Sequence, residues 1–185
     1  MSTPPPAIEV RHARHDELPV VQRLAGIIWH THYPGIITRE QIDYMLARGY
    51  AIEVLAGFLG RPDRGLLLAE VDGEPAGFAA WCGTDDHEEA KLDKLYVLQS
   101  HQRQGLGGQL IARVVERARV ADAATLILNV NKHNGQAIRA YEKHGFAIRE
   151  AVVVDIGNGF VMDDYVMAKS LELVDNGSPY RAHQS

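Results

Sequence analysis

A cluster of glycines between an apolar strand and an amphipathic helix constrains this chain more than any other feature. Leu95-Tyr96-Val97 leads into Gln102-Arg103-Gln104-Gly105-Leu106-Gly107-Gly108. From Gly105 to about Val120, Leu106, Leu110, Ile111, Val114, Val115 and Ala118 recur at helical spacing. The first turn of such a helix has unpaired N–H groups and the positive end of the helix dipole. Gly105, Gly107 and Gly108 let the backbone approach an anion with no side chain between, and Arg103 can add a charge. A strand, a glycine-rich turn and a helix in this order form a phosphate-binding arrangement. Two nucleotide motifs of the same general kind do not fit. The dinucleotide fingerprint needs G-x-G-x-x-G, whereas Gly107 is followed by Gly108, Gln109 and Leu110. The P-loop needs Gly-Lys-Ser/Thr, which is absent. On these residues alone a purely structural tight turn is the alternative.

The flanking pattern sets this unit in a mixed α/β chain. Ile8 to Arg11 alternates like a short strand. Asp16 is placed to cap a helix that has Pro19 in its first turn and Leu18, Val21, Leu24, Ala25, Ile28 and Trp29 on one face. Tyr33-Pro34-Gly35 interrupts it. Thr38 to Gln41 matches a capping box and opens a second helix closed by Gly49, and Ala51 to Leu59 reads as a further helix. Leu66–Val71 and Ala76–Trp81 are strand-like around the turn signal Asp72-Gly73. A polar loop, Thr84 to Glu89, precedes a strand from Leu92 to Leu98. After the glycine turn and its helix come a strand, Thr125–Val130, and a helix, Gly135–His144, ended by Gly145. A hairpin of Ala147–Asp155 and Phe160–Ala168 turns at Gly157-Asn158-Gly159. Hairpins mixed with crossovers imply a sheet of about six to seven strands, partly parallel and partly antiparallel, flanked by helices. No repeat or interdomain linker is visible. The organisation read is a disordered leader over 1–6, one domain over 7–173 and a mobile tail over 174–185.

Composition excludes several classes. A length of 185 residues with 46% hydrophobic content suits one compact domain, because two would each be undersized. The net charge of -5 leaves no basic excess for nucleic acid. The one cysteine, Cys82, forms no intrachain disulfide and reads as a buried, inert thiol. No run of about 18 apolar residues suggests a membrane span, and the Pro-rich start lacks the regions of a signal peptide. A cytoplasmic protein is expected. The nine histidines show no zinc-like spacing, so no metal is expected.

A second motif lies downstream in Asn134-Gly135-Gln136-Ala137-Ile138-Arg139-Ala140-Tyr141-Glu142-Lys143-His144-Gly145-Phe146. An apolar strand followed by Gln/Arg-x-x-Gly-x-Gly/Ala, and then an Asn opening a helix with Ala, Tyr and a terminal Gly-Phe, resembles the GNAT N-acetyltransferase superfamily. The likeness is close over about residues 65–170 and holds only in layout before that. It implies the GNAT fold and the co-substrate acetyl-CoA. The strand at Leu95, Tyr96 and Val97 would pair with the pantetheine arm. The N–H groups of Arg103, Gln104, Gly105, Leu106, Gly107 and Gly108 would hold the pyrophosphate. Asn134 would contact the arm, and Tyr141 would protonate the departing thiolate. A phenol, with an ordinary pKa of about 10, can donate at neutral pH, although core packing of Tyr141 is the plainer alternative. A homodimer is likewise an expectation from the resemblance.

Direct attack by an amine also needs a base and an N–H donor to the oxyanion, which the resemblance places near Val97. Asp93 is the acid inside the central strand, and alternation puts it on the face of Leu95 and Val97. A structural Asp93 fits as well as a catalytic one, and Glu88 and Glu89 are further candidates. The branch that acetylates ribosomal-protein N-termini carries a Glu where this chain has Asn129, which argues against that substrate. Trp29 and Tyr33, with His30, His32 and Tyr44, lie where the family walls its acceptor. The aromatics could cover an amine, although ordinary packing also explains them. Glu88, within the acidic run of Asp85, Asp86 and Glu89, and the pair Asp163-Asp164 could attract a polyamine, although solvated charge is the plainer reading. The segment Phe160 to Leu171 also resembles bacterial diamine or polyamine acetyltransferases. The expected activity is acetylation of a small primary amine. A protein or peptide lysine acetyltransferase and a non-catalytic acyl-CoA sensor are the alternatives.

Overall fold

The computed structural model describes residues 5–172, so the start of the leader and the whole of the tail lie outside the described residues. In chain order the elements are β1 (Ile8–His12), α1 (Leu18–His32), α2 (Arg39–Gly49), α3 (Ile52–Ala56), β2 (Arg64–Val71), β3 (Glu74–Gly83), β4 (Glu89–Val97), α4 (Leu106–Val120), β5 (Thr125–Asn131), α5 (Gly135–Lys143), β6 (Ala147–Gly157) and β7 (Phe160–Ser170). They form one seven-stranded mixed sheet in the order β1-β2-β3-β4-β5-β7-β6. Every neighbouring pair is antiparallel except β4 and β5.

Each face of the sheet carries its own core. Leu106, Leu110, Val114 and Ala118 of α4 pack on Ala79, Trp81, Leu126 and Leu128. On the other face, Leu18, Val21, Leu24 and Ile28 of α1 meet Leu66, Leu68, Phe78 and Ala80, together with Ile42 and Leu55. Alternation divides β2 between the two, with Leu67, Ala69 and Val71 facing α4 and Leu66 and Leu68 facing α1. Coverage on both faces explains the unbroken apolar run there.

The parallel pair is short. β4 and β5 are joined only where Glu89, Ala90 and Lys91 meet Thr125, Leu126 and Ile127. Beyond this point β4 continues against β3 and β5 continues against β7, so the sheet opens into a wedge. A bulge lies at the mouth of the wedge. Ala80 pairs with Lys94 and Trp81 with Leu92, which leaves Asp93 as the extra residue. An inserted residue bends its strand and resets the alternation. Ala90 and Leu92 face α4, and so do Leu95 and Val97, while Tyr96 packs on the α1 side. The expected common face for Asp93, Leu95 and Val97 is therefore incorrect.

Three local expectations are corrected as well. Asp16 does not cap α1. The N-cap is Glu17, which has no side-chain cap bond to α1, and its carboxylate instead accepts from the Arg14 backbone N–H at 2.8 Å and from Arg11 at 2.7 and 2.9 Å. Thr38 caps α2 by accepting from Gln41 N–H at 3.2 Å, but the Gln41 side chain does not return to Thr38. It reaches β7 and donates to the Val161 carbonyl at 3.0 Å. The helix expected over Ala51 to Leu59 is limited to α3, since Gly57 ends it. The β6–β7 turn forms where expected, with positive φ at Gly157, Asn158 and Gly159. Gly157 also permits contact with α2, because a Cβ there would meet Tyr44 Oη at 2.7 Å. Tyr44 Oη and Arg48 Nη1 both donate to the Ile156 carbonyl, at 2.8 and 2.5 Å. The hairpin is thus fastened to α2 at both ends of its turn.

Candidate active site

The wedge between β4 and β5 continues into a cavity of about 580 Å³, bounded by the start of α4, by α5, and by α1 and α2. Its chemistry begins at the glycine turn. Arg103 (φ 62°) and Gly105 (φ 85°) both take left-handed conformations, which turn the chain sharply into α4. Gln102 N–H is used locally by the Gln99 carbonyl, and Gln109 N–H closes the first helical bond to the Gly105 carbonyl. Between them the backbone N–H groups of Arg103, Gln104, Gly105, Leu106, Gly107 and Gly108 meet no acceptor among the described residues. Six successive free donors at the positive end of a 15-residue helix make a cradle of the kind that suits an anion. No acidic residue stands in the first turn to occupy it. A Cβ on Gly107 would meet nothing within 4 Å, whereas one on Gly108 would meet His144 Cε1 at 2.9 Å, so Gly108 permits α4 and the end of α5 to come together.

The cavity wall includes Leu95, Tyr96 and Val97 along the free edge of β4, and Arg103 and Gly105 to Gly108 at the cradle. The Gln104 side chain is turned away, donating to the Ser100 carbonyl at 3.3 Å, although its N–H belongs to the row of donors. Asn134 and Tyr141 border the cavity from α5. Asn134 caps that helix, with Oδ1 accepting from Ala137 N–H at 3.3 Å and from His32 Nε2 at 3.2 Å. Tyr141 packs edge-on to Phe146 at 5.8 Å, and burial raises its phenol pKa above the ordinary value. Its hydroxyl has no hydrogen-bond partner among the described residues.

Trp29 and Tyr33 also reach the wall, with ring centroids 4.4 Å apart. The Tyr33 and Tyr96 hydroxyls meet at 3.3 Å, and Trp29 Nε1 donates to Tyr50 Oη at 3.2 Å. Burial raises the pKa of all three phenols, so they remain protonated. Lys94 is buried beside them. Its ammonium lies 4.8 Å from the Tyr50 ring centre and 5.4 Å from that of Phe58, and it donates to Asp93 Oδ2 at 2.8 Å. Lys91 Nζ lies 3.8 Å from Asp93 Oδ1. Asp93 is therefore on the cavity wall but is held by two lysines.

Glu88 does not reach the cavity. It is exposed at the opposite end of β4, where its carbonyl accepts from Ala124 and Thr125 N–H. Its neighbour Glu89 pairs with Arg149 at 2.6 Å. The parallel pairing of β4 with β5 holds this end of the strand shut, while the cavity lies where the strands part.

The residue that the sequence reading undervalued is Asp164. It lies on β7 opposite Asn131, is only 5% exposed and borders the cavity. Its Oδ1 is fully buried without a hydrogen-bond partner. Burial pushes its carboxyl up to about 6; Asp163 adds to the rise, while Lys91 and Lys132 oppose it. Lys132 is spent on Asp163. Alternation along Met162, Asp164 and Val166 was the available signal, since it puts an acid on an otherwise apolar strand face.

The chain is similar to known proteins over most of its length. Residues 27–146 match the model of the acetyltransferase (GNAT) family. An uncharacterized N-acetyltransferase of Mycobacterium bovis is 30% identical over 138 residues, covering 75% of this chain and 87% of that protein. The L-methionine sulfoximine/L-methionine sulfone acetyltransferase of Salmonella typhimurium is 28% identical over 93 residues, covering 49% of this chain and 53% of its own. Among solved structures, the PaiA N-acetyltransferase of Thermoplasma acidophilum, in complex with coenzyme A, superposes with a TM-score of 0.77 at 23% identity, covering 89% of this chain and 99% of that one.

Proposed function

The chain belongs to the acetyltransferase (GNAT) family, and from that premise we propose that it moves an acetyl group from acetyl-CoA directly to the primary amine of a small molecule, with polyamines among the candidates. The observation that carries this reading is the row of free amides from Arg103 to Gly108 at one end of a cavity that reaches Tyr141. These donors and the dipole of α4 suit a diphosphate. The free edge of β4 at Leu95, Tyr96 and Val97 offers backbone groups to an extended arm, as an added strand would use them. Asn134 stands beside that path. Acetyl-CoA supplies an acetyl group activated as a thioester. The chain's part is to position it, to offer an N–H near Val97 to the carbonyl oxygen, and to keep a proton on Tyr141 Oη for the departing sulfur. Burial raises the pKa of that phenol, so its proton is in place at neutral pH when the sulfur departs, and the proton lost from the attacking nitrogen replaces it.

The fastening of the β6–β7 hairpin to α2 favours a small acceptor over a peptide. A peptide lysine would need an open groove beside the thioester. Here Met45 and Gly49 of α2 and Met162 and Asp164 of β7 border the same cavity, and Tyr44, Arg48 and Gln41 tie the two elements together. A cytoplasmic enzyme and a homodimer belong to the same reading.

The test is a panel of amines and lysine peptides scored by release of free CoA, with melting curves in saturating acetyl-CoA. We expect a rise in melting temperature and turnover on small amines but not on peptides. No shift with acetyl-CoA refutes the cradle assignment, and turnover on peptides alone refutes the small-amine reading.

A further inference from the structure

We propose that Asp164 is the carboxylate that receives the acceptor as an ammonium ion and takes its proton, so that the enzyme selects acceptors arriving as cations. This rests on the reading of the cavity as the site of acetyl transfer and names the residue that selects the acceptor.

Partners are unevenly distributed along β7. Asp163 and Asp164 are adjacent, so their side chains leave opposite faces of the strand. Asp163 meets Lys132, whose ammonium also lies 5.7 Å from the Tyr165 ring centre on that face. Asp164 points the other way. It is 95% buried by its exposure of 5%, Oδ1 lies out of reach of solvent, and neither oxygen accepts a hydrogen bond from a described residue. Buried carboxylates are paired or hydrogen-bonded as a rule, because an ionised oxygen removed from water is otherwise costly. A carboxylate left bare on a cavity wall is waiting for a cation that the chain does not provide.

The surroundings specify the cation. The titratable groups that bear on Asp164 are Lys91 of β4, Lys132 after β5, Asp163 on its own strand and Tyr33 at the end of α1. Neither lysine bonds to it: Lys91 lies within 3.8 Å of Asp93, and Lys132 bonds to Asp163. The tyrosine is a neutral donor. The same cavity is also lined by aromatic and thioether side chains, Trp29, Tyr33, Met45 and Met162. A small acceptor that presents an ammonium group on an apolar or aromatic skeleton suits this combination. Asp93, which also lines the cavity, is less suited to the task because Lys94 and Lys91 already neutralise it.

The proton balance closes. The ammonium gives one proton to Asp164, which later returns it to solvent, and the freed nitrogen lone pair forms the new C–N bond. A second nitrogen proton replaces the one that Tyr141 gives to sulfur as the C–S bond breaks. The third stays on the amide product. A carboxyl pushed up to about 6 is ionised near neutrality and still basic enough to accept a proton, which is the balance general-base catalysis needs.

The experiment compares the wild type with Asp164→Asn and Asp164→Glu. We expect Asp164→Asn to lower kcat/KM for amines about 100-fold or more, to remove the acidic limb of its pH profile, and to leave the acetyl-CoA melting shift in place. Asp164→Glu should restore part of the activity together with the limb. Binding is read without turnover, by calorimetry with 1-aminohexane and 1-hexanol in the presence of free CoA. The amine should bind the wild type at least about tenfold more tightly than Asp164→Asn, a difference of ~1.4 kcal/mol, and the alcohol should bind the two equally. Without ligand, Asp164→Asn should melt no lower than the wild type, whereas loss of a structural carboxylate would lower it. Equal amine affinities, an unchanged acidic limb or a lower melting point overturns the role of Asp164 while the acetyl-CoA shift persists. Absence of that shift in the wild type instead overturns the function on which the proposal rests.

Discussion

Gly107→Glu should make the protein more stable and at the same time unable to bind its co-substrate. Gly107 is the second residue of α4, its N–H is unpaired, and a Cβ there meets nothing within 4 Å. The substitution therefore fits without a clash. Replacing a helical glycine contributes about 0.5 kcal/mol, and an acid in the first turn contributes a further ~0.3–1 kcal/mol through the dipole. For a domain of this size the sum corresponds to a rise of roughly 2–6 °C in melting temperature. The new carboxylate also brings a negative charge to the cradle. Against one diphosphate charge at ~4 Å in a surface-like dielectric, the repulsion is about 4 kcal/mol, or roughly a thousandfold in affinity. The wild type at a hundred times its dissociation constant gains ~2.7 kcal/mol from the ligand, whereas the variant gains nothing measurable. Differential scanning calorimetry with and without acetyl-CoA reads both effects in one experiment. A variant that is stabilised and still shifts with acetyl-CoA would refute the assignment of the α4 amides. A variant that is destabilised would refute the description of Gly107 as facing open space.

Tyr141→Phe should lower turnover by about a hundredfold or more while leaving the acetyl-CoA shift intact; steady-state kinetics beside the melting curve checks this, and unchanged turnover removes the hydroxyl from the reaction. Asp93→Asn strips the ion-pair partner from Lys94, which is 9% exposed, and should cost about 2 kcal/mol in urea unfolding because a buried ammonium loses its carboxylate; an unchanged midpoint would mean that the Tyr50 and Phe58 rings suffice for the cation. Glu17, hydrogen-bonded to Arg11 and held between it and Arg14, has its pKa lowered from 4.5 to about 2, which corresponds to about 3 kcal/mol at neutral pH. Because the folded value is depressed, that contribution is present above about 4.5 and is lost as the pH falls towards 2; Glu17→Gln should therefore be less stable at pH 7 and converge on the wild type in acid, and parallel pH curves would contradict the pairing.

The legible parts of the site are local ones. The α4 glycine turn and the Asn134-to-Phe146 helix are spelled out by neighbouring residues, so caps, periodicity and glycine conformations could be read directly. Gly105 and Gly145 take the positive φ that their places demand. The misplacements of Asp93, Glu88 and Gln41 depend on distant partners. Asp93 left the expected face because β4 takes up an extra residue against β3. Glu88, close to the central strand in sequence, lies at the end that β5 holds closed. Gln41, apparently half of a capping box, found a carbonyl on β7 instead.

By itself the sequence determined a mixed sheet and a helix whose mouth bares its amides to an anion, because periodicity, dipole direction and glycine freedom act over a few residues. Only the tertiary structure decided where β4 parts from β5, which carboxylate is paired and which is bare, and that α2 and the β6–β7 hairpin are tied together beside the cavity. Those outcomes turn on registers and contacts between segments as far apart as Gln41 and Val161, and no short window of sequence contains both partners.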